Sequence, residues 1–404
     1  MSYTPSKSKA MLTAGKVLIN KRYFMKGDPN IDFWRIFYIY HYIEFIKMND
    51  LTKSSTQGYQ TGPELNPILD FAVIGAGIAG LTAASKISAL GHKLAVFEKA
   101  RGTGGRLSSK RVVYDGGEAM AFDLGCVSIT GKSEIFSQQL ESWHSGGVIA
   151  PWWMDDQNKT HYVAVSRNSA LTRHLSENLE CHFSTRVSSL QRIDDIWHLF
   201  TFNERGENEG GENDRGEKLL AKAKNVILAT PPAQAYDLLP AGSRFKGALE
   251  SVKVGAQWVM GLELDNDLSG LPAISYPKSD TVYSISQESC KPGRRNREFN
   301  VGSTILQVQA SQNWTREHLE STHEQVKGAL MRELEQHLQQ PLRITNAYVH
   351  RWLYSCITQG IETKEGYLWD EEGLGLIGDY LNTDFDGVES AWLSGQQLAE
   401  QVTS

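Results

Sequence analysis

Three glycines at fixed spacing, Gly75-Ala-Gly77-Ile-Ala-Gly80, are the first residues able to do chemistry. They follow the apolar run Ile68 to Ile74 and open a stretch with small and apolar residues at helical spacing, Leu81 to Leu90. In that context Gly75 permits a tight turn, Gly77 lets a pyrophosphate approach the backbone, and Gly80 lets helix pack close to strand. The helix N-terminus adds unpaired N–H groups and a positive dipole end for phosphate. Leu94 to Phe97 reads as the second strand, and Glu98 ends it, 23 residues after Gly75. A carboxylate there should accept the adenosine ribose hydroxyls.

The next residues separate one dinucleotide from another. Glu98-Lys99-Ala-Arg-Gly-Thr-Gly104-Gly105-Arg106-Leu107 places a second glycine pair and an arginine directly after the ribose acid, which a nicotinamide domain does not need. The pattern resembles a large flavoprotein group, and the resemblance implies FAD, with Gly105 and Arg106 beside the pyrophosphate and ribityl chain. Near the other end stand Leu376-Ile-Gly378-Asp379 and Gly387-Val388-Glu389-Ser390-Ala391. Asp379 at a strand end can accept ribityl hydroxyls. A helix starting near Val388 can aim its positive end at the flavin pyrimidine ring and stabilise negative charge there. Arg186-Val187-Ser188 reads as a strand whose Val187 backbone holds adenine, and Ala229-Thr230-Pro231-Pro232 ends a strand near the cofactor. The candidate cofactor-binding residues are therefore Gly75, Ala76, Gly77, Ile78, Ala79, Gly80, Glu98, Lys99, Gly105, Arg106, Leu107, Val187, Gly378, Asp379, Val388 and Glu389.

From about Phe71 to Val402 the chain resembles renalase-type flavin oxidases of the bacterial sort, within the flavin amine oxidase superfamily. Beyond the FAD motifs the resemblance rests on Phe122-Asp-Leu-Gly125 with Ile129-Thr130, Gly147-Val-Ile-Ala-Pro151-Trp152, Ser169-Ala-Leu-Thr-Arg-His-Leu175, Lys291-Pro-Gly-Arg294 and His350-Arg-Trp352. It implies non-covalent FAD and hydride transfer from off-pathway dihydronicotinamide isomers, with O2 reoxidising the flavin. Such a transfer needs only alignment of donor carbon and flavin, so an acid or base is dispensable. That suits a chain in which the sequence shows no Ser/His/Asp or paired-carboxylate signature. Where such proteins usually carry Gly-Ala-Gln-Tyr, this chain has Gly125-Cys126-Val127-Ser128, and the usual Arg after His350-Arg351-Trp352 is Leu353. Trp352 and His350 are the candidates for the reacting region, and Trp352, Trp258 and Tyr283 for binding substrate. Cys126 reads as packing, and His161, His174 and His182 have neither metal spacing nor a partner acid in sequence, so no metal is expected. The other readings are a flavin amine oxidase and an FAD-binding protein without turnover.

The elements that must position these groups imply an α/β fold. It comprises an FAD-binding Rossmann-like domain of the amine-oxidase type and an inserted α+β substrate domain built on an antiparallel sheet. The spacing assigns 68–112, 162–235 and 345–404 to the first domain, and 113–161 and 236–344 to the second. Between Ser251 and Gln309 strand-like runs are broken by Gly, Pro and Asp. Thr315 then starts a single helix with Leu319, Val326, Leu330, Leu334 and Leu338 on one stripe as far as Pro341. Asn203 to Lys218 is a polar, low-complexity hairpin tip. Residues 1–67 read as an extension and linker. Within it Phe33 to Ile46 is too short and too charged to span a bilayer, and is either a packing extension, an interfacial anchor or a stretch upstream of a later start at Met25 or Met48.

Composition narrows the partners. The 404 residues carry a formal charge of −6, which gives no reason to expect nucleic acid or an anionic membrane as partner. Cys126, Cys181, Cys290 and Cys356 form no Cys-x-x-Cys pair, and no apolar run reaches the length of a membrane span. A cytoplasmic protein with a small-molecule substrate is the expectation.

Overall fold

The structure, a computed structural model, describes residues 67–113, 119–202, 217–268, 270–294, 304–381, 384–385 and 387–404. The segment Phe33 to Ile46 and most of the polar tract, 203–216, lie outside the described residues.

The strands in chain order are β1 (Leu69–Ile74), β2 (Leu94–Phe97), β3 (Ser109–Val113), β4 (Ala119–Asp123), β5 (Ile149–Met154), β6 (Thr160–Ala164), β7 (Cys181–His182), β8 (Ser189–Ile193), β9 (Ile196–Phe202), β10 (Glu217–Leu228), β11 (Lys253–Leu264), β12 (Ile274–Ser275), β13 (Val282–Gln287), β14 (Thr304–Ala310), β15 (Ile344–Gln359), β16 (Leu368–Trp369) and β17 (Leu374–Leu376). An eight-stranded sheet runs β16-β17-β10-β1-β2-β7, with the β8–β9 hairpin joined through β9 to β10. β1 pairs in parallel with both β2 and β10. It is covered on both faces: Phe71 and Val73 enter one core, Ala72 and Ile74 the other. Burial on both sides explains why the strand is almost continuously apolar rather than alternating. β10 leaves its antiparallel pairing with β9 near Ala223 and becomes the parallel neighbour of β1, so the strands on either side of the polar tract form the expected hairpin.

A second sheet, order β12-β13-β14-β11-β15, is antiparallel. One face, with Met260, Leu262, Leu264, Leu306 and Val308, packs on Val326, Leu330 and Leu334 of the helix His323–Leu338. The opposite face carries Gln257, Gln307, Gln309 and Gly261, as the two-residue period of a strand requires. Gly261 is where Phe122 docks: a Cβ there would lie 2.2 Å from Phe122 Cζ. Gly261→Ala is therefore expected to push the fully buried Phe122 aside at a cost of about 1–3 kcal/mol, read as a lowered urea midpoint; an unchanged midpoint would show that the ring can yield.

Three expectations are corrected. The single helix from Thr315 is two helices, Gln312–Glu317 and His323–Leu338. Ser311 caps the first, and Thr322 with Gln325 forms a capping box on the second, so Thr315 lies inside the first helix and Leu319 sits between the two. The boundary at 345 falls inside β15, whose 16 residues pair along β11 in the antiparallel sheet. Finally, the helix Glu134–Ser145, placed by sequence in the substrate domain, turns Phe136, Leu140 and Trp143 into the core of the parallel sheet. There Phe136 and Trp143 meet Trp392 with ring centroids 5.3 and 6.5 Å away. Spacing along the chain cannot show such a return across the fold.

Candidate functional site

The glycine turn behaves as its chemistry demands. Gly75 has φ +111°, and a Cβ on it would meet Ala229 O at 2.5 Å. Gly80 lies so close to the strand that a Cβ would meet Gly75 O at 2.1 Å. Gly77, the residue before the helix Ile78–Ala89, has nothing within 4 Å of its Cβ position and faces a cavity of about 1120 Å³. That volume exceeds the range of about 300–1,000 Å³ usual for drug-sized ligands. Gly104 N–H donates to Ala76 O at 3.0 Å, laying the second glycine pair against the first. Gly105 and Leu107 line the cavity beside Ile78 and Ala79.

Glu98 reaches the cavity, but its carboxylate already holds the turn: Oε2 accepts Ala76 N–H and Oε1 accepts Ala100 N–H, both at 2.8 Å. Ala76 and Gly80 are thus supporting residues behind the lining. Lys99 lines the cavity and donates to Gln234 Oε1 at 3.0 Å. Val187 lines it as well, though in the loop before β8; the strand begins at Ser189, not Arg186. Arg106 and Asp379, expected as separate contacts, meet each other in a bidentate pair of 2.6 and 2.7 Å across 273 residues of sequence. Gly378 and Val388 also line the cavity, Val388 in the first turn of the helix Gly387–Thr403. Gly395 lets that helix lie against Ala79 O, where a Cβ would be 2.3 Å away. Two helix N-termini therefore open on one space. Glu389 is a correction: it is not part of the lining, and its buried carboxylate accepts Lys132 N–H and Ser133 N–H at 2.7 Å each.

The antiparallel sheet closes the other side with Gln257, Tyr283, Gln309, His350, Trp352 and Leu353. Trp258 is corrected. It is 1% exposed and points into the opposite core, its Nε1 donating to His318 O at 3.0 Å, because neighbours on a strand face opposite ways. His350 meets Trp352 edge-on at 4.7 Å. Burial, with His323 and Lys110 adding to it, holds the His350 pKa below its usual value, so the ring is neutral at pH 7.

Between the two sides runs 123–126, whose main-chain carbonyls are claimed one after another. Gln307 Nε2 donates to Asp123 O; Trp352 Nε1 donates to Leu124 O at 2.9 Å, Gln309 Nε2 to Gly125 O at 2.7 Å and Asn168 Nδ2 to Cys126 O at 2.8 Å. Trp352 thus anchors this segment as well as walling the cavity. The Asp123 carboxylate is wholly buried among Lys291 (3.0 Å), Arg294 (2.6 Å) and Ser109 (2.7 Å), and Lys291 also meets Glu288 at 2.5 Å. Phe122-Asp-Leu-Gly125 and Lys291-Pro-Gly-Arg294 are thereby two halves of one buried ion cluster. Burial pushes the Cys126 thiol up to about 12, and its Sγ donates to Ser128 O at 2.9 Å, in keeping with a packing role.

One constellation escaped the sequence. Ser128, in the cavity lining, has its Oγ 2.8 Å from His161 Nδ1, and His161 Nε2 is 3.3 Å from Asp155 Oδ2. Asp155 and His161 flank the β5–β6 turn, which Asp-Asp-Gln-Asn between two strand-like runs could have signalled. Ser128 comes from a distant segment and carries no such signal.

These features fit a flavin dinucleotide. The Gly77 side opens where a Cβ would take up ligand space, and Ser188 Oγ, Thr230 Oγ1 and Tyr380 OH, on three lining residues, have no hydrogen-bond partner among the described residues. Among those residues no group of three or more His, Cys, Asp or Glu could hold a metal ion, and no helix is long and apolar enough to cross a membrane.

Comparison with known proteins gives two family matches, to the NAD(P)-binding Rossmann-like domain over residues 73–137 and to the flavin containing amine oxidoreductases over 120–403. An L-amino-acid oxidase of Siganus canaliculatus is 33% identical over 101 residues, 25% of this chain and 18% of that protein. A 4,4'-diapophytoene desaturase of Staphylococcus haemolyticus (strain JCSC1435) is 39% identical over 57 residues, 14% of this chain and 10% of that protein. The chain thus spans less than a fifth of these curated relatives. Among solved structures, one assigned as a protoporphyrinogen oxidase from Exiguobacterium sp. 255-15 superposes with TM-score 0.58 at 12% identity, covering 82% of this chain and 98% of that one. Putrescine oxidase bound to putrescine gives 0.55 at 12% identity, covering 83% and 99%. At such identity the likeness is one of fold. A flavin-containing family with a Rossmann-like dinucleotide turn makes FAD the cofactor.

Proposed function

The chain belongs to the flavin containing amine oxidoreductase family, and from that premise we propose that it is an FAD-dependent oxidoreductase taking a hydride from a small donor held against the antiparallel sheet. FAD, when bound, supplies the two-electron acceptor. The protein's part is to hold and align. In this reading Gly75 makes the turn, Gly77 and Gly105 leave room for the pyrophosphate, Arg106 and Asp379 take the ribityl chain, and the first turn of the helix Gly387–Thr403 offers its positive end to the ring.

The donor class we favour is a dihydronicotinamide isomer, and one observation carries it. The wall formed by Gln257, Tyr283, Gln309, His350 and Trp352, with Gln312 and Asn313 after β14, contains no Asp or Glu among its described residues. Such a wall suits a flat, uncharged ring that stacks on an aromatic and pairs its carboxamide with side-chain amides. Hydride loss from that ring needs alignment and no base. Dioxygen is the proposed terminal acceptor. Four free cysteines support a reducing, cytoplasmic setting.

Anaerobic stopped-flow mixing of the purified protein with dihydronicotinamide isomers is expected to bleach the flavin bands rapidly. Bands that persist with these isomers refute this donor class; bands that persist with every donor mark an FAD protein without turnover. The second donor class is an amine, favoured by a specific observation: Ser128 and His161 provide a base at the cavity wall.

A further inference from the structure

We propose that Ser128, His161 and Asp155 form an acid–base unit in which the Ser128 hydroxyl, backed by the imidazole, accepts a proton from a donor bound in the cavity. The inference rests on the amine arm of the proposed function. Asp155 Oδ1 accepts the Gln157 and Lys159 N–H groups, each at 2.9 Å. These bonds, that from Lys159 foremost, hold its pKa below the usual carboxylate value, so it is ionised at neutral pH. An ionised carboxylate only accepts hydrogen bonds, so its 3.3 Å contact with His161 Nε2 puts the ring proton on Nε2. Nδ1 then carries the lone pair, and the 2.8 Å contact runs from Ser128 O–H to Nδ1. This polarity makes the hydroxyl a proton acceptor toward the cavity.

The surroundings keep the three groups in line. Ile129 and Tyr162 exchange backbone hydrogen bonds of 2.8 and 2.9 Å, fixing the Ser128 segment beside β6. The Trp153 ring lies 4.4 Å from that of His161, and the His161 and Asp155 side chains are 16% and 23% exposed.

An amine bound as its ammonium must lose a proton before it can lose a hydride. In the proposed step an ammonium N–H bond breaks, the proton goes to Ser128 Oγ, and the Ser128 proton passes to His161 Nδ1, giving an imidazolium beside Asp155. FAD, when bound, would supply the two-electron acceptor for the adjacent C–H bond, and the donor would leave as an iminium, oxidised by two electrons.

Two measurements on the FAD-loaded protein test this. Nitrogen NMR of histidine-labelled protein without donor should show His161 protonated on Nε2; protonation on Nδ1 alone refutes the assignment. Anaerobic bleaching by benzylamine at neutral pH should be about a hundredfold slower in Ser128→Ala and His161→Gln, and the deficit should shrink above the pKa of benzylamine, where the donor arrives already deprotonated. Rates equal to wild type, or a deficit unchanged at every pH, overturn the proposal; retained flavin absorbance confirms that the variants fold, and Asp155→Asn gives a milder version of the same pattern. If benzylamine fails where dihydronicotinamide isomers bleach the wild type, the proton-accepting role falls and the hydride reading stands. If neither bleaches it, both fall.

Discussion

Gly77→Val yields a folded protein that purifies without its yellow colour. Nothing lies within 4 Å of the Gly77 Cβ position, and its φ of −82° is open to any residue. The new side chain therefore strains nothing and enters only the space left for the dinucleotide. The expected weakening of FAD binding is at least a hundredfold, about 2.7 kcal/mol. Unfolding of the FAD-free protein should shift by no more than about 1 kcal/mol, as for substitutions that disturb no packing. Gly80→Val is the contrasting case: its Cβ would lie 2.1 Å from Gly75 O and 2.9 Å from Ala229 Cβ, so turn and fold fail together. Equilibrium dialysis with FAD and far-UV dichroism separate the two outcomes. A Gly77→Val protein that stays yellow with unchanged affinity would remove the glycine turn from the cofactor site.

Asp123→Asn is expected to destabilise the protein by about 3–5 kcal/mol, the usual cost of stripping one partner from a buried ion pair. Asp123 and Glu288 balance Lys291 and Arg294, all four buried; removing one negative charge leaves a net positive charge with no water to solvate it. Urea unfolding measures the loss, and a midpoint within error of wild type would refute it. Adding Arg294→Met to Asp123→Asn should restore the charge balance, so the double variant should lose less than the sum of the single ones. The pH dependence has a definite sign. Burial alone would raise the Asp123 pKa, but Lys291 and Arg294 outweigh it and the folded value lies below the usual carboxylate value. Its contribution is therefore complete above the unfolded-state pKa and is lost as pH falls through the folded value. The gap between wild type and Asp123→Asn should accordingly be constant near neutrality and close only in strong acid.

Features carried by local pattern can be read from the chain alone. Strand, glycines, helix, second strand and Glu98 are neighbours in the chain, and their spacing is tied to the turn geometry that a dinucleotide needs, so β1, the helix Ile78–Ala89 and β2 were legible to within a few residues. The hairpin around the polar tract and the antiparallel sheet were legible for the same reason, because alternation and turn residues are short-range signals. Tertiary structure alone decided which distant groups share a space. It paired Arg106 with Asp379, joined Phe122-Asp-Leu-Gly125 to Lys291-Pro-Gly-Arg294, set Ser128 against His161, and sent Trp258 into the opposite core while Gln257 faced the cavity. A side chain's direction depends on which face of its strand is buried, and an ion pair on which loops the sheets bring together. Neither is encoded in the spacing of the residues that take part.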